Sequence, residues 1–309
     1  MDTTQGTPGP EESGAVDYGQ AGPTVVRMLL GARLRRLRQA AGITRDNAGQ
    51  AIRSSGSKIS RLELGRTGFK QRDVSDLLTL YGVSDDDAER AILLGLARQA
   101  NDAGWWHGYN DVLPAWFEPY LGLEQAASII RSYEVGFIPG LLQTPEYARA
   151  VIRLMDGVSE AEADQRVALR TQRQQVLHRA NPPRLWVVID ETALRRPIGG
   201  RAAMLEQVDH LVQVSRLSTV TVQVMPFSAG GHAAAGGQVT MLRFPEELLP
   251  DVVYQEQMDS AVYLNKPADT VHYWNVLNRV ATEALPPDAS VAKLRRLADL
   301  ILGALPHVG

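Results

Sequence analysis

The chain contains no cysteine. That absence removes disulfides, thiolate metal ligands and cysteine nucleophiles together, and it suits a reducing compartment. No stretch approaches the ~20 apolar residues that a membrane-spanning helix requires. Residues 1–20 have neither a basic n-region nor an apolar h-region, so no secretory signal is read there. A cytoplasmic protein without membrane association is expected. Catalytic signatures are missing as well. The glycine pairs at 199–200, 230–231 and 236–237 precede no Lys-Ser or Lys-Thr, so they form no phosphate cradle. No His-x-x-x-His spacing occurs, and Ser218, Ser228 and Ser260 lack the glycine frame of a nucleophile elbow. The expectation is therefore no metal, no cofactor and no enzymatic activity.

What remains is 309 residues of ordinary globular composition, enough for about two domains at roughly 150 residues each. The net charge of −3 conceals an asymmetry. From Thr24 to Tyr81 there are 12 Lys and Arg against 4 Asp and Glu, a local charge of +8 that leaves −11 for the rest. A basic segment on an acidic body is the footprint of a module that meets phosphate; the plainer alternative is a solvated charged face.

Residues 1–23 are rich in Gly, Pro, Thr and Glu and read as a disordered tail. A helical block follows. Leu30, Leu34, Leu37 and Ala41 share one helix face, with Arg33, Arg35, Arg36 and Arg38 pointing elsewhere. Gly42 stops this helix. Thr44 caps a second, with Ala48 and Ile52 inward, and Arg53-Ser54 makes a short turn. Ser55 caps a third helix with Ile59 and Leu62 inward, ended by Gly65. A fourth runs from about Gln71 to Tyr81 and stops at Gly82. A fifth runs from Ser84 to about Ala100 and is expected to bury Ile92, Leu93 and Leu96. These five helices form an all-α domain over 24–101.

Composition then shifts. Residues 104–120 hold three of the five Trp. Two long helical patterns are read at 123–155, broken near 136–140 and at Pro145, and at 159–179. Apolar runs at 185–189, 220–224, 239–244, 252–255 and 261–264 read as strands. Helices are expected over 201–216, 268–284 and 289–302. Residues 102–309 thus form an α/β or α+β effector and dimerisation domain.

The runs LRRLRQAAGITRDNAGQAI, SSGSKISRLELGR and RDVSDLLTLYGV resemble the helix-turn-helix of Xre/Cro-repressor regulators, a lambda-repressor-like fold. The resemblance implies double-stranded DNA as partner and a homodimer on two half-sites. It places the second motif helix in the major groove, with Ser55, Gly56, Ser57, Lys58 and Arg61 outward. Ser57 and Lys58 then face base edges, and Arg61 reaches a base or a phosphate. Thr44 and Arg45 open the preceding helix, whose N-terminus suits a phosphate; Arg53, Arg66 and Lys70 are flanking phosphate contacts. Glu63 sits where it can pair with a basic residue of an earlier helix. Two departures stand out. The spacing from Ala48 to Ile59 is one residue longer than usual, and the turn lacks its usual Gly.

The segments IIRSYEVGFIPGLLQTPEYARAV, VVIDETALRRPIGG and VTVQVMPFSAGGHAAAGGQVTMLRFPE resemble the domain of unknown function found behind such modules in actinobacterial regulators. In that family a small partner protein is often encoded nearby, which implies an antitoxin-like interaction module as the alternative reading. Three further features each allow two readings. Asp190-Glu191 is either an acid pair or a strand end capping the next turn. His107 after Trp105-Trp106 flanks a ligand-stacking or a core cluster. His232 in the loop at 231–237 is a ligand-loop or an ordinary surface histidine.

Overall fold

The computed structural model describes residues 22–245 and 249–303. The tail expected over 1–23 lies outside them except for Gly22 and Pro23. Five helices come first: α1 (Pro23–Ala40), α2 (Arg45–Ala51), α3 (Gly56–Glu63), α4 (Gln71–Leu80) and α5 (Ala88–Gln99). Pro23 opens α1 where its missing N–H costs nothing. Gly42, Gly65 and Gly82 end helices with φ of 68°, 67° and 82°, a region where a Cβ is strained. Asp87 caps α5 by accepting from the Glu89 N–H, so the fifth helix begins at Ala88 and not directly after Ser84. Its start fixes its face. Leu93, Leu96, Ala97 and Ala100 are inward, whereas Ile92 is 57% exposed, contrary to the expectation that it is core.

The second region opens with a 3-10 turn at Trp105–Tyr109 and α6 (Glu118–Ala126), then β1 (Ile129–Glu134). After α7 (Pro145–Ile152) and α8 (Glu160–Gln174) come β2 (Arg184–Asp190), α9 (Glu191–Arg195), α10 (Gly200–Val214) and β3 (Val220–Met225). Then follow β4 (Val239–Arg243), β5 (Val252–Glu256), β6 (Ala261–Leu264), α11 (Pro267–Glu283) and α12 (Pro287–Gly303). One six-stranded sheet has the order β3-β2-β1-β4-β5-β6. β1, β2 and β3 are parallel neighbours, while β4, β5 and β6 run antiparallel to the strand before them in the sheet. Side chains of α6, α7, α10 and α12 share a core with one face of the sheet; α11 covers the other.

All five apolar runs are strands, but the helical pattern read across 123–155 is interrupted by β1. Ile129, Ile130 and Tyr133 favour a strand. The strand is covered on both faces, with Ile130 and Tyr133 in opposite cores, so it shows no alternation of polar and apolar residues. Its Arg131 is 4% exposed, which broke the apolar run that marks a buried strand. Arg131 sits between the rings of Trp186 and Trp274, 4.9 and 4.6 Å from their centroids.

The two cores are joined through α1. Val26, Leu30 and Leu34 belong to the helical core, whereas Val25 and Leu29 belong to the core of the sheet. A Cβ on Gly122 of α6 would stand 2.7 Å from Thr24 Cβ, so the two helices touch there. Arg27 on α1 donates to the Ala100 carbonyl at the end of α5, 2.7 Å away.

Candidate nucleic-acid interface

The pair α2–α3 is built by caps and close backbone approach. The Thr44 hydroxyl accepts from the Asn47 N–H and the Ser55 hydroxyl from the Lys58 N–H, each satisfying an orphan helix-end donor. A Cβ on Gly49 would come within 2.7 Å of the Ser55 carbonyl carbon, so only glycine lets the turn fold back on α2. Between the helices Arg53 takes φ 53°, the only positive-φ non-glycine among the described residues. It occupies the left-handed position that glycine usually fills, at a cost of roughly 1–2 kcal/mol. The turn that lacks its usual Gly is therefore strained at Arg53.

Buried Ile59 and Leu62 seat α3. A Cβ on Gly31 would lie 2.4 Å from the Leu62 carbonyl oxygen, so α1 supports α3 backbone to backbone. Glu63 locks this contact. Arg38 Nε and Nη2 donate to its two carboxylate oxygens at 2.5 and 3.1 Å, and Arg38 Nη1 donates to the Ile43 carbonyl at 2.7 Å. The pairing expected for Glu63 is thus present. Its partner is one of the arginines read as pointing away from the core, and Arg38 is 7% exposed. The hydrogen bond to Glu63 raises the Arg38 pKa against the pull of burial. Arg45, half exposed, lies 3.7 Å from the same carboxylate.

The structure gathers part of the expected set. Arg45, Gly56 and Ser57 line one open hollow, together with Arg38, Asp46 and Ser60. Thr44, Ser55, Ser57 and Arg61 are exposed. Lys58 is held: its Nζ is 2.7 Å from Asp73 on α4 and its side chain is 27% exposed. Arg53 projects from the turn, Arg66 follows α3 and Lys70 precedes α4. None of these three lines the hollow. Arg53, Arg61, Arg66 and Lys70 are exposed and make no ion pair among the described residues, which leaves four cations for an external anion. Asp46, Ser60 and Asp73 were missed. Asp46 and Asp73 are acidic and match no pattern of phosphate contacts, although Asp46 lies in the first turn of α2.

In the second region, Asp190 ends β2 and caps α9 by accepting from the Thr192 N–H, as the turn-capping alternative held. Glu191 is bound by Lys293, Arg195 and the Phe227 N–H. Burial opposes its charge, yet these donors hold its pKa down to about 2. His107 is exposed and bonds to Asn110, while Trp106 is core. His232 is no surface residue: its side chain is 8% exposed. The Tyr133 hydroxyl donates to Asp190 (2.8 Å) and accepts from His232 Nε2 (2.9 Å), leaving Nδ1 buried without a partner. Glu283 also accepts from the Ala233 N–H, so the glycine-rich loop is pinned at two points. Among the described residues no cluster of three or more metal-ligating side chains occurs and no helix is long and apolar enough to cross a membrane.

The helix-turn-helix domain family matches residues 29–91, which points to DNA binding. A family described as a domain of unknown function, DUF5753, matches residues 117–296. No curated protein and no solved structure matches the chain.

Proposed function

Because the chain belongs to the DUF5753 family and carries a helix-turn-helix domain ahead of that domain, we propose that it is a cytoplasmic, homodimeric transcriptional regulator of Xre type rather than an enzyme. In this reading α3 enters the major groove and the α/β domain responds to an effector or a small partner protein. One observation carries it: exposed Ser57 and Arg61 stand on a helix whose backbone is locked from behind by Gly31 and Arg38–Glu63, inside the segment of local charge +8. A rigid helix with polar outward residues is what base reading needs. Arg61 is the main reader. Lys58 acts through its tie to Asp73, which sets how α4 meets α3. Arg45 contacts phosphate.

Fluorescence anisotropy against the DNA upstream of its own gene, and against scrambled DNA, tests this at several salt concentrations. Arg61→Ala is expected to cost roughly 1–3 kcal/mol and to flatten preference at one position. Arg45→Ala weakens all sequences alike and lowers the salt slope by about one unit. Binding without selectivity, or an Arg61→Ala chain that binds like the parent, overturns the assignment. Co-purification of a small protein with a DNA-silent chain would favour the interaction-module reading instead.

A further inference from the structure

The order of the sheet singles out one place. From β1 the chain crosses to β2 and then β3 on one side, and it returns past β1 to lay down β4 on the other. The reversal lies between β1 and β4, and open α/β sheets bind ligands at such a point, beyond the carboxyl ends of the strands. A small cavity of about 60 Å³ sits there, well below the ~300–1,000 Å³ of drug-sized ligand sites. Glu134 at the end of β1 and Glu256 at the end of β5 face into it. Phe117 and Tyr120 stack with centroids 5.3 Å apart, and Tyr254 lies 4.2 Å from Tyr120. Together these three rings make an aromatic wall. Arg173 of α8 closes the cavity.

With Glu134 ionised, the carboxylates Glu124, Glu134 and Glu256 outnumber the guanidiniums Arg170 and Arg173 of α8, both of which act on Glu256 through space. Arg173 Nε and Nη2 both bind Glu124 of α6, at 2.5 and 2.6 Å, and Arg170 Nη1 donates to Gln143 Oε1 at 2.6 Å. Glu256 accepts from the Tyr254 hydroxyl at 2.9 Å. Neither Glu134 nor Glu256 has a cation within ion-pair distance among the described residues. Burial and the neighbouring Glu256 push Glu134 up to about 8, against Arg173 and a hydrogen bond from Ser132. Carboxylates beside aromatic faces recognise ammonium and guanidinium groups.

We infer that this cavity binds a small organic cation, an amine or guanidinium of a few heavy atoms, which rests on the effector reading and names its site and ligand class. The position also supplies a route to α3. Tyr120 and Glu124 lie on α6, α6 touches α1 at Gly122 and Thr24, and α1 backs α3 at Gly31. Occupancy of the cavity therefore acts one helix away from the support of α3.

The test uses the full chain without DNA. Calorimetric titrations with n-butylamine, n-butylguanidine, n-butanol and butyrate compare one shape in three charge states. Saturable binding of the two cations alone is expected, with a Kd on the order of 1 mM for so few atoms. Ionising Glu134 favours a cation, so binding tightens about tenfold from roughly pH 6.5 to roughly pH 8.5. Glu134→Gln and Glu256→Gln each weaken it about tenfold or more, with circular dichroism unchanged. Equal binding of butanol or butyrate, no cation binding up to about ten times that Kd, or Gln variants that bind like the parent would overturn the site. A separate DNA titration with and without n-butylguanidine tests the relay. A DNA affinity that moves in the parent but not in Glu256→Gln supports it. Cation binding with DNA affinity unmoved leaves the site standing and removes the relay and the effector role.

Discussion

The helical unit and the α/β domain share α1, yet they are held together by different means. In the helical unit the caps and the buried ion pair are near in sequence: Thr44 with Asn47, Ser55 with Lys58, Asp87 with Glu89, and Arg38 with Glu63 25 positions on; one longer tie, from Arg27 to the Ala100 carbonyl, closes the unit. In the α/β domain the fixing contacts span the chain. Arg131 bonds to Asn278, 147 positions away, Val224 N–H to Ser290 and Arg173 to Glu124. The helical unit is thus specified by local chemistry and stiffened by one buried ion pair. The sheet domain exists only once distant segments have met. Adjacent residues of α1 mark the seam, since Leu29 belongs to one core and Leu30 to the other.

Four experiments break or sharpen this contrast. The largest effect is expected from Glu63→Ala. It leaves Arg38 buried without its counter-charge, and losing one partner of a buried pair costs about 3–5 kcal/mol. All five tryptophans lie at or beyond Trp105, so tryptophan fluorescence reports the α/β domain alone while far-UV circular dichroism reports both. Denaturant unfolding of Glu63→Ala should show the dichroism transition moving ahead of the fluorescence transition. Coincident transitions would mean that α1 fuses the two units into one cooperative body.

Leu29→Ala and Leu30→Ala come next, at about 2–5 kcal/mol each. Leu29→Ala should shift the fluorescence transition, and Leu30→Ala should raise hydrogen exchange in α2 to α5 with fluorescence little changed. Identical signatures from the two variants would erase the seam.

A third experiment addresses acid. The pKa of Glu191, held down to about 2 by Lys293, Arg195 and the Phe227 N–H despite burial, is below that of a carboxylate in the unfolded chain, about 4.3. Its contribution is complete above about pH 4.3 and is lost as pH falls toward 2. Acid titration of the fluorescence transition should show that loss, and Lys293→Met should flatten it. An unchanged acid profile in the variant would detach Glu191 from the stability of the α/β domain.

The smallest effect is expected at Arg53. Glycine there relieves the left-handed strain but loosens the unfolded chain, for a net stabilisation of roughly 0.5–1 kcal/mol. A lower melting temperature in Arg53→Gly would show that the arginine side chain holds the turn in a way its φ does not reveal.

Much of the helical unit and of its candidate interface could be read without coordinates. Caps, glycine stops and the inward set Ala48, Ile59 and Leu62 all follow from spacing of a few residues, and so does the outward set Ser57 and Arg61. The burial of Arg38 could not be read that way. Its place beside other arginines suggests solvent, and only the position of Glu63 draws it inward. Lys58 shows the same limit, because its tie to Asp73 depends on the angle at which α4 crosses α3. In the α/β domain, β1 was hidden because a strand covered on both faces loses the alternation that marks strands, and its buried Arg131 broke the apolar run. His232 was hidden because a glycine-rich loop gives no sign that Tyr133, 99 positions earlier, will hold it.

By itself the sequence determined the presence of the first five helices, the glycines that stop three of them, the basic footprint of residues 24–81 and the presence of five of the six strands. Capping, glycine conformation and hydrophobic period act within one or two turns of chain. The tertiary structure alone decided that α1 serves two cores, that Arg38 is buried, that β1 is one of the two central strands and that two carboxyls face an aromatic wall where the sheet reverses. Each of those depends on which distant surfaces come together, and desolvation and pairing act on a side chain only once its neighbours have arrived.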